Sequence, residues 1–365
     1  MDLYEFSIFD ILPYFYLLFF LLYLTFKKKI INADRIAFFM LFFFSAVRYG
    51  IGYDYFNYCD AIKTGYTFEP LSEVIASLAR TFDCYQIFFI INSFITIFCI
   101  YLVARRESFN SCLVLLIYYL YPIFFLESLS IVRNASALSL VFLSYHYLSN
   151  KKYCKYLICI FLAGMMHYSG FIGLLLLVVK FLPLGRKKSI LLFCLCFLIS
   201  DSLLLLLQQL EYGGDSVFLL KLLKYADRMQ EQGKLMKYII LLFNVFNLLY
   251  WNKLVSYNLN NKVLLNLVNI GTCLWVVLSF DHTLSLRLSS YYLIFQLLLI
   301  PSYFEIANYK YRKIVRFGII SFFVIFFLSG FVINIINYEP TSKMSYIPYQ
   351  TIFYHQDYAN YQSHF

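Results

Sequence analysis

Long apolar runs punctuated by short basic clusters constrain this chain more than any other feature. The clusters are Lys27-Lys28-Lys29, Arg105-Arg106, Lys151-Lys152, Arg186-Lys187-Lys188 and the stretch from Lys310 to Arg316. Most runs approach the ~20 residues that cross a bilayer as a helix. Short cytoplasmic loops are enriched in Lys and Arg, which puts all five clusters on the inner face. The segments between them carry other signals: Arg48 with Asp54, Arg133, His167, and Asp281 with Arg287. Those residues then belong to the outer face. Ionisable groups near lipid are costly to keep, so polar residues converging on one face suggest a site.

Composition agrees with this reading. Of the 365 residues, 62% are hydrophobic and 14% charged. That balance belongs to a polytopic membrane protein, not to a soluble domain of this length. A net charge of +10 would suggest nucleic acid in a soluble protein. Here the basic excess sits in the proposed inner loops, facing anionic lipid; membrane lipids are the expected partner and nucleic acid is not. The first apolar run follows Asp2 and Glu5, not a basic segment, and ends in Lys27-Lys28-Lys29. It reads as a retained first span with an outside N-terminus. The nine Cys show no metal spacing and read as small buried hydrophobes. Neither a metal nor a cofactor is expected.

The sequence thus predicts an all-α polytopic membrane protein, a single transmembrane domain over 1–365 with outer loops 48–83 and 208–235. The expected helices are 6–26, 33–47, 84–104, 111–129, 131–149, 189–207, 236–252, 262–280, 288–307 and 314–336. The stretch from Lys155 to Leu182 is the exception. Basic clusters flank it on both sides, and both should be inside, so it must cross an even number of times. Two short helices or a re-entrant hairpin satisfy that parity. Gly164, Gly170 and Gly173 permit the break, with His167 at or near its outer tip. The total becomes about 12 spans, with both termini outside. Non-helical backbone at that depth is tolerated only against protein or water, so His167 is expected in a buried or water-lined pocket. In the outer loops, a short helix is expected around Leu71–Arg80. The segment VFLLKLLKYADRM, beginning at Val217, has the pattern of an amphipathic helix at the interface.

Five outer residues could carry chemistry. Arg48 ends the second helix, and Gly50 and Gly52 allow a tight turn that returns Asp54 toward it. Arg133 opens the fifth helix. A guanidinium there is adverse to the helix dipole, and a bound phosphate would reconcile the two, since Arg forks onto phosphate oxygens. Arg287 opens a later helix in the same way. His167, in GMMHYSG, can titrate near neutral pH and serve as a general base. Each also has a structural reading: an interfacial anchor for Arg48, a pair with Glu127 for Arg133, a satisfied polar group for His167. His146 lies toward the inner face and reads as structural. Several cations around one outer pocket suggest a di-anion such as a pyrophosphate. A lipid-linked pyrophosphate is the natural substrate at the outer bilayer surface. With no acidic pair or metal-ligand spacing, arginine would take the role a divalent metal plays elsewhere.

Four blocks carry a resemblance: RYGIGYDYFNY after the second helix, SIVRNASALSL opening the fifth, LAGMMHYSG at the break, and Arg287 with Tyr291-Tyr292. In that order they resemble the Wzy/EpsG-type polymerases of bacterial surface polysaccharides, the O-antigen polymerase family. Tyr53 stands where Thr is expected and Asn134 where Gln is expected. The resemblance implies a GT-C-like helical glycosyltransferase. It would join undecaprenyl-pyrophosphate-linked oligosaccharide repeats at the periplasmic face of the inner membrane, without a metal. It implies His167 as base with Asp54 as competitor or orienting partner, and Arg48, Arg133 and Arg287 on the pyrophosphate. Tyr55, Tyr58, Asn134 and Tyr291 are the implied substrate contacts, and a chain-length regulator protein is an implied partner. An O-antigen ligase, a lipid-linked oligosaccharide flippase or transporter, and a membrane acyltransferase with a His base are the other classes this pattern admits.

Overall fold

Pro122 shows how local chemistry shapes this fold. A proline supplies no N–H and disfavours helix in the residue before it. The single helix expected over 111–129 is accordingly two, Ser111–Leu120 and Phe125–Ser130. The irregular backbone between them is carried by Tyr121, Ile123 and Phe124, all buried, which is where such backbone is tolerated in a membrane protein.

The computed structural model describes residues 8–27, 30–210, 234–336 and 346–355. The amphipathic helix expected from Val217 lies outside the described residues. Within them the chain is helical, with isolated β-bridges joining Arg48 to Thr351 and Thr351 to Tyr354. The helices are α1 (Leu12–Phe26), α2 (Ala33–Ala46), α3 (Tyr55–Thr64), α4 (Pro70–Thr81), α5 (Gln86–Glu107), α6 (Ser111–Leu120), α7 (Phe125–Ser130), α8 (Val132–Ser149) and α9 (Tyr153–Met166). A 3-10 segment, Tyr168–Leu174, follows. Then come α10 (Leu175–Phe181), α11 (Arg186–Leu210), α12 (Lys234–Leu249), α13 (Trp251–Tyr257), α14 (Asn261–Val277), α15 (His282–Leu293), α16 (Gln296–Ile306) and α17 (Arg312–Ile336).

Among the described residues, two helical stretches are by themselves long and apolar enough to cross a membrane, Gln86–Glu107 and Tyr309–Val332. Two bent pairs qualify if each pair is one span: Met236–Leu249 with Trp251–Tyr257, bent by 66°, and His282–Leu293 with Gln296–Ile306, bent by 52°. Leu12–Phe26, Ser111–Leu120, Tyr153–Met166, Tyr168–Phe181 and Asn261–Val277 are shorter apolar helices. The break expected between Lys155 and Leu182 is present: α9 stops at Met166, and His167 adopts an extended backbone, φ −158°, ψ 130°.

The chain divides into two compact units. One is built from the chain up to Phe171 and from Tyr309 onward, the other from Ile172–Asn308. In the first unit, contacts sort the helix termini into two ends. At one end Thr25 Oγ1 donates to the Cys112 carbonyl at 3.4 Å, Arg105 meets Asp34 at 3.7 Å, and His146 meets Glu107 at 2.5 Å. The Arg105-Arg106 cluster falls there. At the other end Gln86 donates to the Arg48 carbonyl at 3.1 Å, Arg48 donates to the Leu129 carbonyl at 3.3 Å, and Ser72 donates to the Met166 carbonyl at 2.7 Å. Helices α1, α2, α5, α6 with α7, α8 and α9 therefore alternate in direction, as the basic clusters require. The segment 346–355 returns to this second end: Tyr349 N donates to the Asp10 carbonyl at 3.0 Å and Tyr49 N to the Gln350 carbonyl at 2.9 Å.

Helix α8 is the axis of this unit, packed against α5 and α9. Its small residues Ala135, Ser136, Ala137 and Ser139 let the neighbours approach closely. Ser136 Oγ donates to Asn92 Oδ1 of α5 at 2.8 Å, so the polar groups in the contact are paired, as buried polar groups must be. In the second unit, amides make the corresponding contacts. Asn244 donates to Asn269 at 3.0 Å, Asn269 to the Ser189 carbonyl at 3.2 Å, and Asn247 to Gln296 at 2.8 Å.

Candidate functional site

The site grows from three helix termini at the Arg48 end of the first unit. Pro70 opens α4, where its missing N–H costs nothing, and leaves Glu69 at the N-cap. Val132 opens α8, which puts Arg133 in its first turn. His167 closes α9, its own N–H bonded to the Ala163 carbonyl at 3.0 Å. The turn beyond folds back on α9: Gly170 N donates to the His167 carbonyl at 2.8 Å. A Cβ at Gly170 would lie 2.5 Å from the Ala163 carbonyl carbon, so only glycine permits the approach.

Glu69 is the centre of the arrangement. Its Oε2 pairs with Arg133 Nη1, and its Oε1 stands 3.8 Å from His167 Nε2. The carboxylate is 9% exposed, Arg133 19% and His167 23%, so the cluster is enclosed but reachable. Two rings fix the guanidinium, Phe68 at 4.7 Å and Tyr58 at 5.6 Å, a contact of about 0.5–2 kcal/mol each. On the other side of the imidazole, Nδ1 lies 2.6 Å from Ser169 Oγ. Asn134 Nδ2 donates to that same oxygen at 2.9 Å. The anion that the dipole at the start of α8 calls for is thus supplied by Glu69, and not by Glu127.

Sequence reasoning missed Glu69 and Ser169. Glu69 stands 64 residues from Arg133 with nothing local to pair it. The one signal for it was an acid directly before a helix-opening proline. Ser169 was visible only as part of GMMHYSG.

Arg48 takes a different environment. It is 0% exposed and donates to the Ser45 carbonyl, to Ser93 Oγ at 3.1 Å and to the Leu129 carbonyl at 3.3 Å. Phe89 covers it at 5.1 Å. Burial pushes the guanidinium down to about 10, so it still carries its charge at neutral pH. The expected return of Asp54 to Arg48 does not occur. Gly50 and Gly52 do make the turn, at φ 64° and 101°. It presses Gly52 onto Leu129, where a Cβ would sit 2.2 Å from the carbonyl oxygen. Asp54 opens α3 instead and accepts from Asn57 at 3.4 Å.

Among the implied substrate contacts, Tyr55 is buried, donates to Gln86 Oε1 at 3.0 Å and stacks on Phe89 at 4.2 Å. Tyr58 lies against Arg133 and Asn134 against Ser169. Arg287 and Tyr291 belong to the second unit, and Tyr291 is fully buried. Helix α15 begins at His282, capped by Asp281, whose side chain accepts from Leu284 N at 2.5 Å. Arg287 therefore sits in the second turn and does not open the helix, and the anion at that terminus is Asp281.

Apolar helices enclosing a cation–carboxylate–imidazole cluster define a helical membrane protein with a polar site at its helix ends. The chain belongs to the EpsG family, whose sequence profile matches residues 31–351. It is therefore a polysaccharide-polymerase-like membrane protein, a glycosyltransferase-like polymerase in general terms. No curated protein and no solved structure matches it.

Proposed function

We propose that this protein polymerises a bacterial surface polysaccharide by joining undecaprenyl-pyrophosphate-linked oligosaccharide repeats at the periplasmic face of the inner membrane. One observation carries the reading. Arg133 and His167, expected separately from sequence as phosphate binder and base, converge on one carboxylate at one end of the helices. A cation for a leaving pyrophosphate and a base for an incoming hydroxyl are the two groups glycosyl transfer from a lipid pyrophosphate needs. Arg133 stabilises the departing pyrophosphate in place of a divalent cation. His167 is the base that becomes protonated as the attacking sugar hydroxyl loses its proton. Tyr58 and Asn134 position these two side chains, and Arg48 holds the scaffold behind them. Asp54 is the competing base. The Arg105-Arg106 cluster at the opposite end of the first unit supports an outward-facing site, and the alternation of its helices supports a polytopic, GT-C-like membrane domain of about 12 spans, with outer loops 48–83 and 208–235. A chain-length regulator would act on the same growing chain. For Arg287 the expectation of a pyrophosphate contact rests on the sequence alone.

The test is the glycan ladder on lipid carrier with and without this protein. Polymerase activity converts single repeats into a ladder. Single repeats that persist outside support the polymerase. A ladder that forms but is not transferred to its final acceptor points to a ligase, and repeats retained inside point to a flippase. The same assay on Arg287→Ala should show loss of the ladder.

A further inference from the structure

Glu69 is shared between two partners that the reaction needs at different moments. Oε2 is held by Arg133; Oε1 is 3.8 Å from His167 Nε2. The first contact is an ion pair and the second is too long for a hydrogen bond. The hydrogen bonds of the imidazole fix its tautomer. The Ser169 backbone N–H meets Nδ1 at 3.3 Å and can only donate, so Nδ1 carries the lone pair and Nε2 the proton. Ser169 Oγ, 2.6 Å from Nδ1, donates there too, and its lone pair takes the Asn134 amide at 2.9 Å. The protonated nitrogen is therefore the one on the Glu69 side. A base oriented by a carboxylate at one nitrogen accepts its proton at the other.

A pyrophosphate offers a guanidinium fork more charge and more acceptor oxygens than one carboxylate does. Resting on the polymerase reading, we propose that the donor pyrophosphate draws Arg133 off Glu69, and that Glu69 then closes on His167 Nε2–H as a positioning residue. The base is completed only when the donor is bound. In the transfer step the acceptor hydroxyl oxygen bonds the anomeric carbon as the bond from that carbon to the pyrophosphate oxygen breaks. The electron pair leaves on the pyrophosphate, whose charge faces Arg133. The hydroxyl proton passes to Ser169 Oγ while the Ser169 proton passes to His167 Nδ1. The imidazolium so formed is neutralised by Glu69.

Among the described residues, the charged and titratable groups that face His167 include Glu69 at the N-cap of α4, Arg133 of α8 through Glu69, Tyr58 of α3 against Arg133, and its exposed neighbour Tyr168. Glu73 and Arg80 of α4 pair with each other.

The test uses Glu69→Gln, which keeps the shape and removes the charge, in the purified full-length protein in lipid vesicles. Single-turnover elongation of a lipid-linked repeat is read against pH, and binding of a polyprenyl pyrophosphate is read separately. Elongation should fall about 10²-fold or more, while polyprenyl pyrophosphate binding stays equal or tightens because Arg133 loses its internal competitor. The acidic limb of the rate profile should move to lower pH, since an imidazolium without its carboxylate gives up its proton more readily. Glu69→Asp should regain part of the rate. An unmoved acidic limb, or a loss confined to weaker donor binding, overturns the proposal and leaves Glu69 as a support for Arg133. Should Glu69→Gln fail to fold, Glu69→Ala, which also removes the carboxylate, carries the same comparison, and a wild-type rate and limb in it overturn the proposal. A wild-type protein that does not extend lipid-linked repeats removes the polymerase reading, and this proposal with it. A wild-type protein that extends them beside an equally active Glu69→Gln removes this proposal alone.

Discussion

Arg48 and Arg133 look alike in the sequence and are opposite in the structure. Each stands at a helix terminus on the same end of the first unit, and each was a candidate for a pyrophosphate. Arg48 is fully buried, and its acceptors are two main-chain carbonyls and a serine hydroxyl. Arg133 keeps 19% of its side chain exposed, and its acceptor is a carboxylate that also faces an imidazole. The difference lies in what can be exchanged. A carbonyl fixed in a helix end cannot leave its guanidinium without unfolding that end. A carboxylate on a side chain can give way to a phosphate at little structural cost. Arg48 therefore joins α2 to α5 and α7, while the proposed role of Arg133 asks it only to exchange one side-chain anion for another.

The largest contrast should come from alanine at the two positions. Arg133→Ala should abolish chain extension with protein level near normal, and Arg133→Lys should restore only part of it, because a point charge lacks the fork. Arg48→Ala should instead lower the amount of folded protein, since each stranded carbonyl costs about 1–3 kcal/mol. Its elongation rate per folded molecule should stay within about threefold of wild type. Quantitative immunoblotting beside the glycan ladder separates the two effects. An Arg48→Ala protein that is abundant and inactive would break the comparison.

A smaller effect is expected at Gly52, which presses the Arg48 turn onto Leu129. At φ 101° and with a Cβ only 2.2 Å from a carbonyl oxygen, Gly52→Ala should destabilise by about 1–3 kcal/mol from backbone strain. A lower thermal midpoint with an unchanged rate per folded molecule is the expected outcome. An unshifted midpoint would show that the turn does not support the scaffold.

The smallest perturbation is a reporter. Tyr168 is 65% exposed and sits one residue beyond His167. In a background without other reactive cysteines, Tyr168→Cys should react with an impermeant thiol reagent in intact cells. Lys152→Cys, at the other end of α9, should react only after lysis. Equal protection of both would refute the outward orientation of the cluster.

How legible this was depends on the range of the forces involved. Helix existence followed from apolar periodicity, and the break at His167 from charge parity alone, because both are local or additive along the chain. The split at Pro122 was equally local and was nonetheless overridden by the apolar run around it. Helix α3 was missed because its composition is polar, yet Tyr55, Tyr58 and Ile62 are spaced to face one core, and Gly65 caps it at φ 75°. Arg133 and His167 were found as oddities, charged groups at helix ends in an apolar chain. Their common partner was not, since a pair separated by 64 residues is marked in the sequence only by an acid before a helix-opening proline, which names no partner. The expected Arg48–Asp54 pair failed for the complementary reason. Proximity in sequence suggested it, but the packing of Gly52 on Leu129 sent the turn elsewhere.

The central claim is that His167 is the base of a glycosyl transfer, and single-step elongation of a purified lipid-linked repeat tests it most directly. His167→Gln should lower that rate by roughly 10²–10⁴-fold while binding of the lipid-linked donor is retained. Asp54→Asn should elongate at close to the wild-type rate. A normal rate for His167→Gln together with a lost rate for Asp54→Asn would contradict the account and move the base to Asp54.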